Sequence, residues 1–562
     1  MKLKTFISAI ILILIVLTAS VTISEVKNNK LFISFTDCSH NGEIPVSAVA
    51  CYKRNNKRFF MLPGSADMTK ARIWFTGTDS IRVNGVETAN GSKIENLTEN
   101  SILNIGWNNS EFDVNIMKGS EIGALFINTD SGSMDTVDKS KKNKESGYAF
   151  FLNPQGKTEY SGAMRHIKLR GNTSANMTKK NYNVCLETNA DLMGMGKARH
   201  WVLMGSSRDR SQLRNQIVYE TARFVGLPYT PECKPIDLYM NHEYHGTYLL
   251  CEKIEMHPER VNIRDLGKAN EKVNPAPLNT YKRVFGQIGY TKYKAFRLEQ
   301  DPVDITGGYI IEYENYQPRY STELCAMQTR RKKVLLIKEP EYASVAEMEY
   351  ICRFMQGYEN AIFAKDGIDP DSGKHYTEFV DFNSLVLKYM LEEVSMNCDG
   401  NASSQYYVKP SDTESKVAFA GPVWDYDTTF GDYARAKGSE YRLLDPKQLV
   451  HGQAGSAYWW PQLYKKKEFF DAVREAWKFR YKPALQILLD NESDPEGKLL
   501  SIRQYAENLE KSAEMNFIRW PMYAFDKKSQ NIARTGYTYE DNIQYLIRFI
   551  TERVDFLDTI WQ

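Results

Sequence analysis

Asp399, Asp425 and Asp427 are the residues whose settings point most directly to chemistry. Asp399 stands in the segment NCDGNASSQYYVK, just past a predicted helix running from about Asp381 to Asn397 and just before the β-prone run QYYVK. A carboxylate held there can accept a proton from an attacking hydroxyl, the part played by a catalytic-loop aspartate in phosphoryl transfer. Asp-Gly is also an ordinary turn pair. Asp425 and Asp427 close the strand-like run KVAFAGPVW and precede Phe430 and Gly431. Carboxylates two residues apart at the end of a buried strand can both reach one hard cation such as Mg2+, although an Asx-turn would use the same residues. The two acidic segments frame a short strand-turn-strand unit, the relation that joins catalytic and metal aspartates in protein kinases. Tyr389, Glu393 and Asn397 recur every four residues, so they line one stripe of the helix and are expected to aim polar groups at the same place.

The first half of the chain offers basic residues for the phosphate side of such a reaction. In the predicted hairpin PIDLYMNHEYHGTYLLCEKIE, Glu252 shares parity with Tyr248, Leu250 and Ile254, so its carboxylate faces an apolar side and needs a cation. Lys180 shares parity with Tyr182, Val184 and Leu186 of NYNVCLE and is the candidate partner and phosphate ligand, with Lys179 beside it. Arg214 and Asn215 open a helix after Asp209, and Arg170, Gly171 and Asn172 form a turn after IKLR. These arginines could clamp phosphate or serve as structural anchors. Glu312 follows Gly307 and Gly308 on a strand and is either a second ionic anchor or a sheet-edge residue. His242 and His245 fall at the hairpin turn, where solvation accounts for them, with no HExxH and no third ligand near. The chain contains no GxGxxG, GxxxxGK[ST] or GxSxG motif, which argues against conventional nucleotide-binding and α/β-hydrolase folds.

The elements that must position these residues follow from periodicity. Residues 25–118 carry short β-prone runs (LFISF, ARIWF, SIRVNG, SILNI, FDVNI) separated by glycines, which reads as a β-sandwich-like domain. It could be a spacer, or it could contact the cell wall or a glycan. Residues 119–342 remain β-rich, interrupted by the helical stretch SQLRNQIVYETARFVG, and residues 343–562 turn largely helical with apolar residues every three to four. The fold class is therefore α+β. Lys2 and Lys4 precede an apolar run from Phe6 to Ile23, so residues 1–24 are expected to act as a signal peptide or as a membrane anchor, and the chain to work outside the cell or at its surface. Eight cysteines without a CxxC pair argue against zinc, and Cys38 with Cys51 is the local pair best placed to bridge. Seventy-two basic against seventy acidic residues leave a net charge of +2, without the broad basic field that nucleic-acid binding needs.

Taken in order, RGNTS, KKNYNV, ADLMGMGKARHWVLMGSSRDRSQLRN, IDLYMNHEYHGTYLLCEKIE, GGYIIEYE, NCDGNASSQYYVK and GPVWDYDTTFG resemble the CotH (spore coat protein H) kinase family from about Gly119 to the C-terminus. The resemblance implies an atypical protein-kinase-like fold with ATP between a β-rich and a helical lobe. It further implies Mg-dependent transfer of phosphate to Ser or Thr of spore-coat or other secreted proteins. On the same footing Asp399 is the candidate catalytic residue, Asp425 or Asp427 the metal ligand, Lys180 or Lys179 the basic β-lobe position, and Glu252 its hairpin glutamate. Kinases place Asn five residues after the catalytic Asp. Here Ser404 takes that place, with Asn401 and Gln405 as further oxygen donors. The rival reading is a surface or envelope structural protein that keeps a kinase-like scaffold without catalysis.

Overall fold

A computed structural model describes residues 30–36, 43–172, 174–314, 318–431, 434–437, 440–452, 458–521 and 536–562. The expected export segment and Cys38 lie outside them. The chain is mixed α+β, β-rich toward its N-terminus and helical toward its C-terminus.

Residues 31–118 build two sheets. Leu31–Ser34 runs between Val49–Ala50 and Arg72–Phe75. Six further strands follow in the order Tyr52–Arg54, Lys57–Leu62, Ser110–Lys118, Ile102–Trp107, Ser80–Val83 and Val86–Ala89. Period-two patterning decides which face goes in: Ile81 and Val83 are buried, with Arg82 exposed between them. Ile33, Phe60, Leu62, Ile73, Ile105 and Val114 share one core, which continues into Phe126, Tyr239 and Met515 of the later chain.

Seven strands then close into a barrel, in the order Gly123–Thr129, Glu145–Leu152, Thr158–Arg170, Asn181–Asp191, Lys197–Met204, Glu243–Glu252 and Cys233–Met240. The last of these runs parallel to the first. Alternate residues fill the interior, among them Ile167, Leu169, Tyr182, Val184, Leu203, Tyr248 and Leu250. The residues between them face outward, and Val202, Met204, Leu249 and Cys251 join the main core of the second half. The hairpin turn is docked rather than solvated: the His242 ring donates to the carbonyl of Ala48 at 3.0 Å, and His245 is half-buried beside Trp520.

Helix Arg214–Phe224 covers the outer face of this barrel with Leu213, Ile217, Val218, Tyr219 and Ala222. A seven-stranded sheet follows, in the order Arg283–Ile288, Thr291–Phe296, Cys325–Gln328, Val334–Glu339, Tyr309–Tyr313, Gln405–Lys409 and Phe419–Ala420. Its last two strands come from the half expected to be helical, because the apolar run YYV finds a partner edge in Tyr309–Tyr313. Helix Val345–Phe363 opens on a Ser344–Glu347 capping box. Helix Phe382–Ser395 opens with the Asp381 side chain accepting from the Ser384 N–H and ends at Met396 in the left-handed region (φ 52°). The long helix Tyr539–Trp561 closes the described chain.

Candidate active site

Helix Phe382–Ser395 and strand Gln405–Lys409 are both buried along their length, so the loop between them has fixed ends. That loop carries Asp399 on a single 3-10 turn. Strand Phe419–Ala420 pairs back on Gln405–Lys409, with Tyr407 opposite Ala420, and the chain then delivers Asp425 and Asp427 to the same end of the sheet. Asp399, Ser404, Asp425 and Asp427 thereby meet in one cleft of about 450 Å³, a size suited to a small-molecule ligand. Ser404 Oγ donates to Asp425 Oδ2 at 3.4 Å, and Thr428 Oγ1 donates to Asp399 Oδ2 at 3.2 Å. Asp425 and Ser404 both hold positive φ, at 69° and 60°, the uncommon backbone state that clusters at functional sites.

The same cleft is rich in basic residues. Arg170, Arg208, Lys253, Lys338, Lys141 and Arg319 line it together with Glu312 and Glu314. Arg170 stacks over the Trp424 ring at 4.8 Å, and Lys338 pairs with Glu312 at 3.6 Å and with Glu323 at 3.4 Å. Gly171, in the turn after Arg170, is at φ 90°, and a Cβ there would meet Ser174 Oγ at 1.9 Å, so the turn requires glycine. Burial first, and then the charge of Asp399, pushes the Asp425 carboxyl above the ordinary range, against the pull of Arg170, Arg208 and the Ser404 hydrogen bond. Asp427 is pushed well above that range by burial and then by Asp425. Among the described residues no three His, Cys, Asp or Glu side chains close into a metal cage. Mg2+ does not require one, since it takes one or two carboxylates and completes its shell with water and substrate phosphates. Two crowded carboxylates with a hydroxyl beside them are hard oxygen donors that fit that ion.

The basic residues expected on the phosphate side lie elsewhere. Lys179 is fully buried and donates to Thr247 O at 2.5 Å and to Asn516 Oδ1 at 2.8 Å, tying the barrel to helix Glu510–Arg519. Lys180 donates to the carbonyls of Ala175 and Met177 at 2.9 and 3.3 Å. Glu252 pairs with Arg260 at 2.5 Å and accepts from the Glu232 N–H at 2.8 Å. The expected meeting of Lys180 with Glu252 therefore does not occur, and neither residue lines the cleft. The reason is parity: both share the apolar, interior face of a strand, whereas the cleft lies against the barrel's outer face and takes the alternate residues Arg170, Asn181, Asn183, Val202 and Lys253.

Arg214 is likewise outside the cleft, held by Asp209 at 2.5 Å, and its Nε donates to Thr429 O at 2.8 Å. With Asn215, whose Oδ1 accepts from the Tyr426 N–H at 2.8 Å, it pegs the loop that carries Asp425 and Asp427. Gln405 is buried behind the cleft, its amide against Gly400. Glu393 does not aim at the site. It pairs with Arg553 at 2.8 Å and accepts from the N–H groups of Val450, His451 and Gly452. Instead Lys388 and Glu392, paired at 2.6 Å on the neighbouring stripe, hold the hydroxyl of Tyr426, the residue that follows Asp425 and precedes Asp427 in the chain. Glu312 does reach the cleft wall, as do Arg170, Gly171 and Asn172. Arg208, Lys253, Lys338, Arg319 and Lys141 escaped the sequence reading. Lys253 was one residue from Glu252, on the outward parity that only a barrel would have exposed to a ligand.

A family model described as CotH kinase protein matches residues 167–557, most of the chain and all of the elements that build the acidic end of the cleft. No curated protein matches the chain.

Proposed function

The chain belongs to the CotH kinase family, and on that premise we propose that it is an exported, Mg-dependent protein kinase of atypical, two-lobed kinase-like fold that transfers the γ-phosphate of ATP to Ser or Thr of secreted, spore-coat-like proteins. The observation that carries this reading is the cleft itself, which gathers three aspartates and Ser404 with six basic side chains. Asp399 accepts the proton of the acceptor hydroxyl as its oxygen attacks the γ-phosphorus. The bond from that phosphorus to the β–γ bridging oxygen breaks, and ADP leaves. Asp425 and Asp427, with Ser404 beside them, would hold Mg2+, which when bound offsets charge on the phosphates. Arg170, Arg208 and Lys253 orient the phosphate oxygens, so positioning and electrostatics supply most of the rate. Among the described residues no helix is long and apolar enough to cross a membrane, and export rests on residues 1–24.

The test is phosphate transfer from labelled ATP to a casein-like acceptor with Mg2+, comparing the wild type with Asp399→Asn and Asp425→Ala. Transfer by the wild type and a loss of at least about 100-fold in each variant is expected, in line with removal of a general base or of charge stabilisation. Equal, negligible transfer by all three, with no nucleotide-induced thermal shift, would instead establish a non-catalytic surface scaffold.

A further inference from the structure

We propose that Cys233 and Cys251 are joined by a disulfide across the two strands of the Cys233–Met240 and Glu243–Glu252 hairpin in the exported protein. The two residues stand directly opposite one another in the register. Their place in the ladder can be worked out from their neighbours. The Glu252 N–H donates to Glu232 O at 3.0 Å, which makes 232/252 a hydrogen-bonded position. Pro235, which has no N–H to give, sits opposite Leu249 three steps further on, two from 233/251. Hydrogen-bonded and non-hydrogen-bonded pairs alternate along an antiparallel ladder, so 233/251 is a non-hydrogen-bonded pair, with Cα atoms about 4.5 Å apart and side chains at their closest. That separation lies within the roughly 4.4–6.8 Å that disulfides span, so the backbone need not move to accept the bond.

The side chains agree with the backbone. Both residues have zero exposure and belong to one buried core. Among the described residues no other two cysteines face each other in a strand register. The pair points outward from the barrel into the core it shares with Tyr219 of helix Arg214–Phe224, whose ring packs on Trp424 and Tyr426, the two neighbours of Asp425. Val202, opposite Cys251, and Lys253, two residues after it, line the cleft. The bond would fasten the hairpin at the point where it supports the cleft wall.

The chemistry is thiol–disulfide exchange with a disulfide-bearing oxidant, either a small disulfide or an oxidised dithiol protein. One cysteine thiolate attacks the oxidant, one of whose sulfurs leaves as thiolate. The second cysteine thiolate then attacks the mixed disulfide and expels the other. Two electrons and two protons pass to the oxidant, which ends as two thiols. Since neither sulfur is exposed in the folded chain, exchange takes place before the hairpin packs against its helix.

The proposal rests on the export reading only for its compartment, and the experiment separates the two. Reduced, unfolded full-length protein is refolded in glutathione and glutathione disulfide, alkylated in denaturant without reductant, digested and mapped by mass spectrometry. The same mapping is applied to protein secreted by a bacterial host. In both, Cys233 and Cys251 are expected to escape alkylation and to appear as one linked species about 2 Da lighter than the two thiols. Cys251→Ser is expected to leave Cys233 free for alkylation or capped by glutathione. Alkylation of both residues in refolded protein of native circular dichroism overturns the pairing, as does linkage of either one to a different cysteine. A link in the refolded protein but free thiols in the secreted protein overturns the proposal for the exported chain, and leaves phosphate transfer to be judged on its own assay.

Discussion

Gly400 has no room for a methyl group. A Cβ there would lie 2.4 Å from Glu392 Oε2 and 2.6 Å from Gln405 Nε2, both on side chains of one per cent exposure or less. Neither neighbour can withdraw without carrying a buried polar group into apolar surroundings, so it is the loop that must shift, and Asp399 with it. Gly400→Ala is expected to lower kcat about 10-fold or more, with KM for ATP little changed, since each factor of ten needs only ~1.4 kcal/mol at the transition state. The basic residues of the cleft supply the complementary case. Lys253→Ala is expected to raise KM for ATP about 10-fold, the loss of one charged hydrogen bond, whereas Lys180→Ala is expected to leave it unchanged. Steady-state kinetics at varied ATP reads both. An effect from Lys180 equal to that from Lys253 would overturn the assignment of the outer barrel face to phosphate.

At the scale of elements, the helix that precedes Asp399 is fixed by its two buried ion pairs. Glu393 with Arg553, both wholly buried, ties it to the C-terminal helix. Lys388 with Glu392 ties it to the loop of Asp425 and Asp427 through Tyr426. A buried carboxylate that loses its cation is left uncompensated, so Arg553→Met is expected to destabilise the fold by about 3–5 kcal/mol. Adding Glu393→Gln should restore part of that loss, because the orphan charge is then removed. Denaturant unfolding of the two variants checks this, and equal destabilisation in both would show that packing rather than charge is at stake. The sequence showed the helix, its start near Asp381 and the four-residue stripe, because periodicity is local. It did not show which stripe faces the site. That depends on the distant partner of each carboxylate, and Arg553 lies 160 positions from Glu393.

Across the whole molecule, Asp237 joins barrel and helices. It accepts from Ser512 Oγ at 2.8 Å and from the Tyr244 hydroxyl at 2.9 Å. Burial pushes its carboxyl up to about 7, against those hydrogen bonds, one from Thr247, and the nearby Lys179 charge. A carboxyl with a folded pKa above its unfolded value binds more protons folded than unfolded between the two. Its contribution to stability therefore falls as pH rises from about 3.8 to about 7, and is level above that. Asp237→Asn is expected to remove this part of the slope, so that its stability relative to the wild type improves between pH 5 and pH 8, as read by chemical denaturation. A wild-type slope that survives the substitution unchanged would place the titrating group elsewhere. By itself, the sequence determined the mixed α+β class, the family and the two acidic segments, because those reside in local pattern and in short runs of residues. Only the tertiary structure decided which basic residues face the aspartates. Closing a barrel sends alternate residues of each strand to opposite sides, and no stretch of sequence records which side another part of the chain will cover.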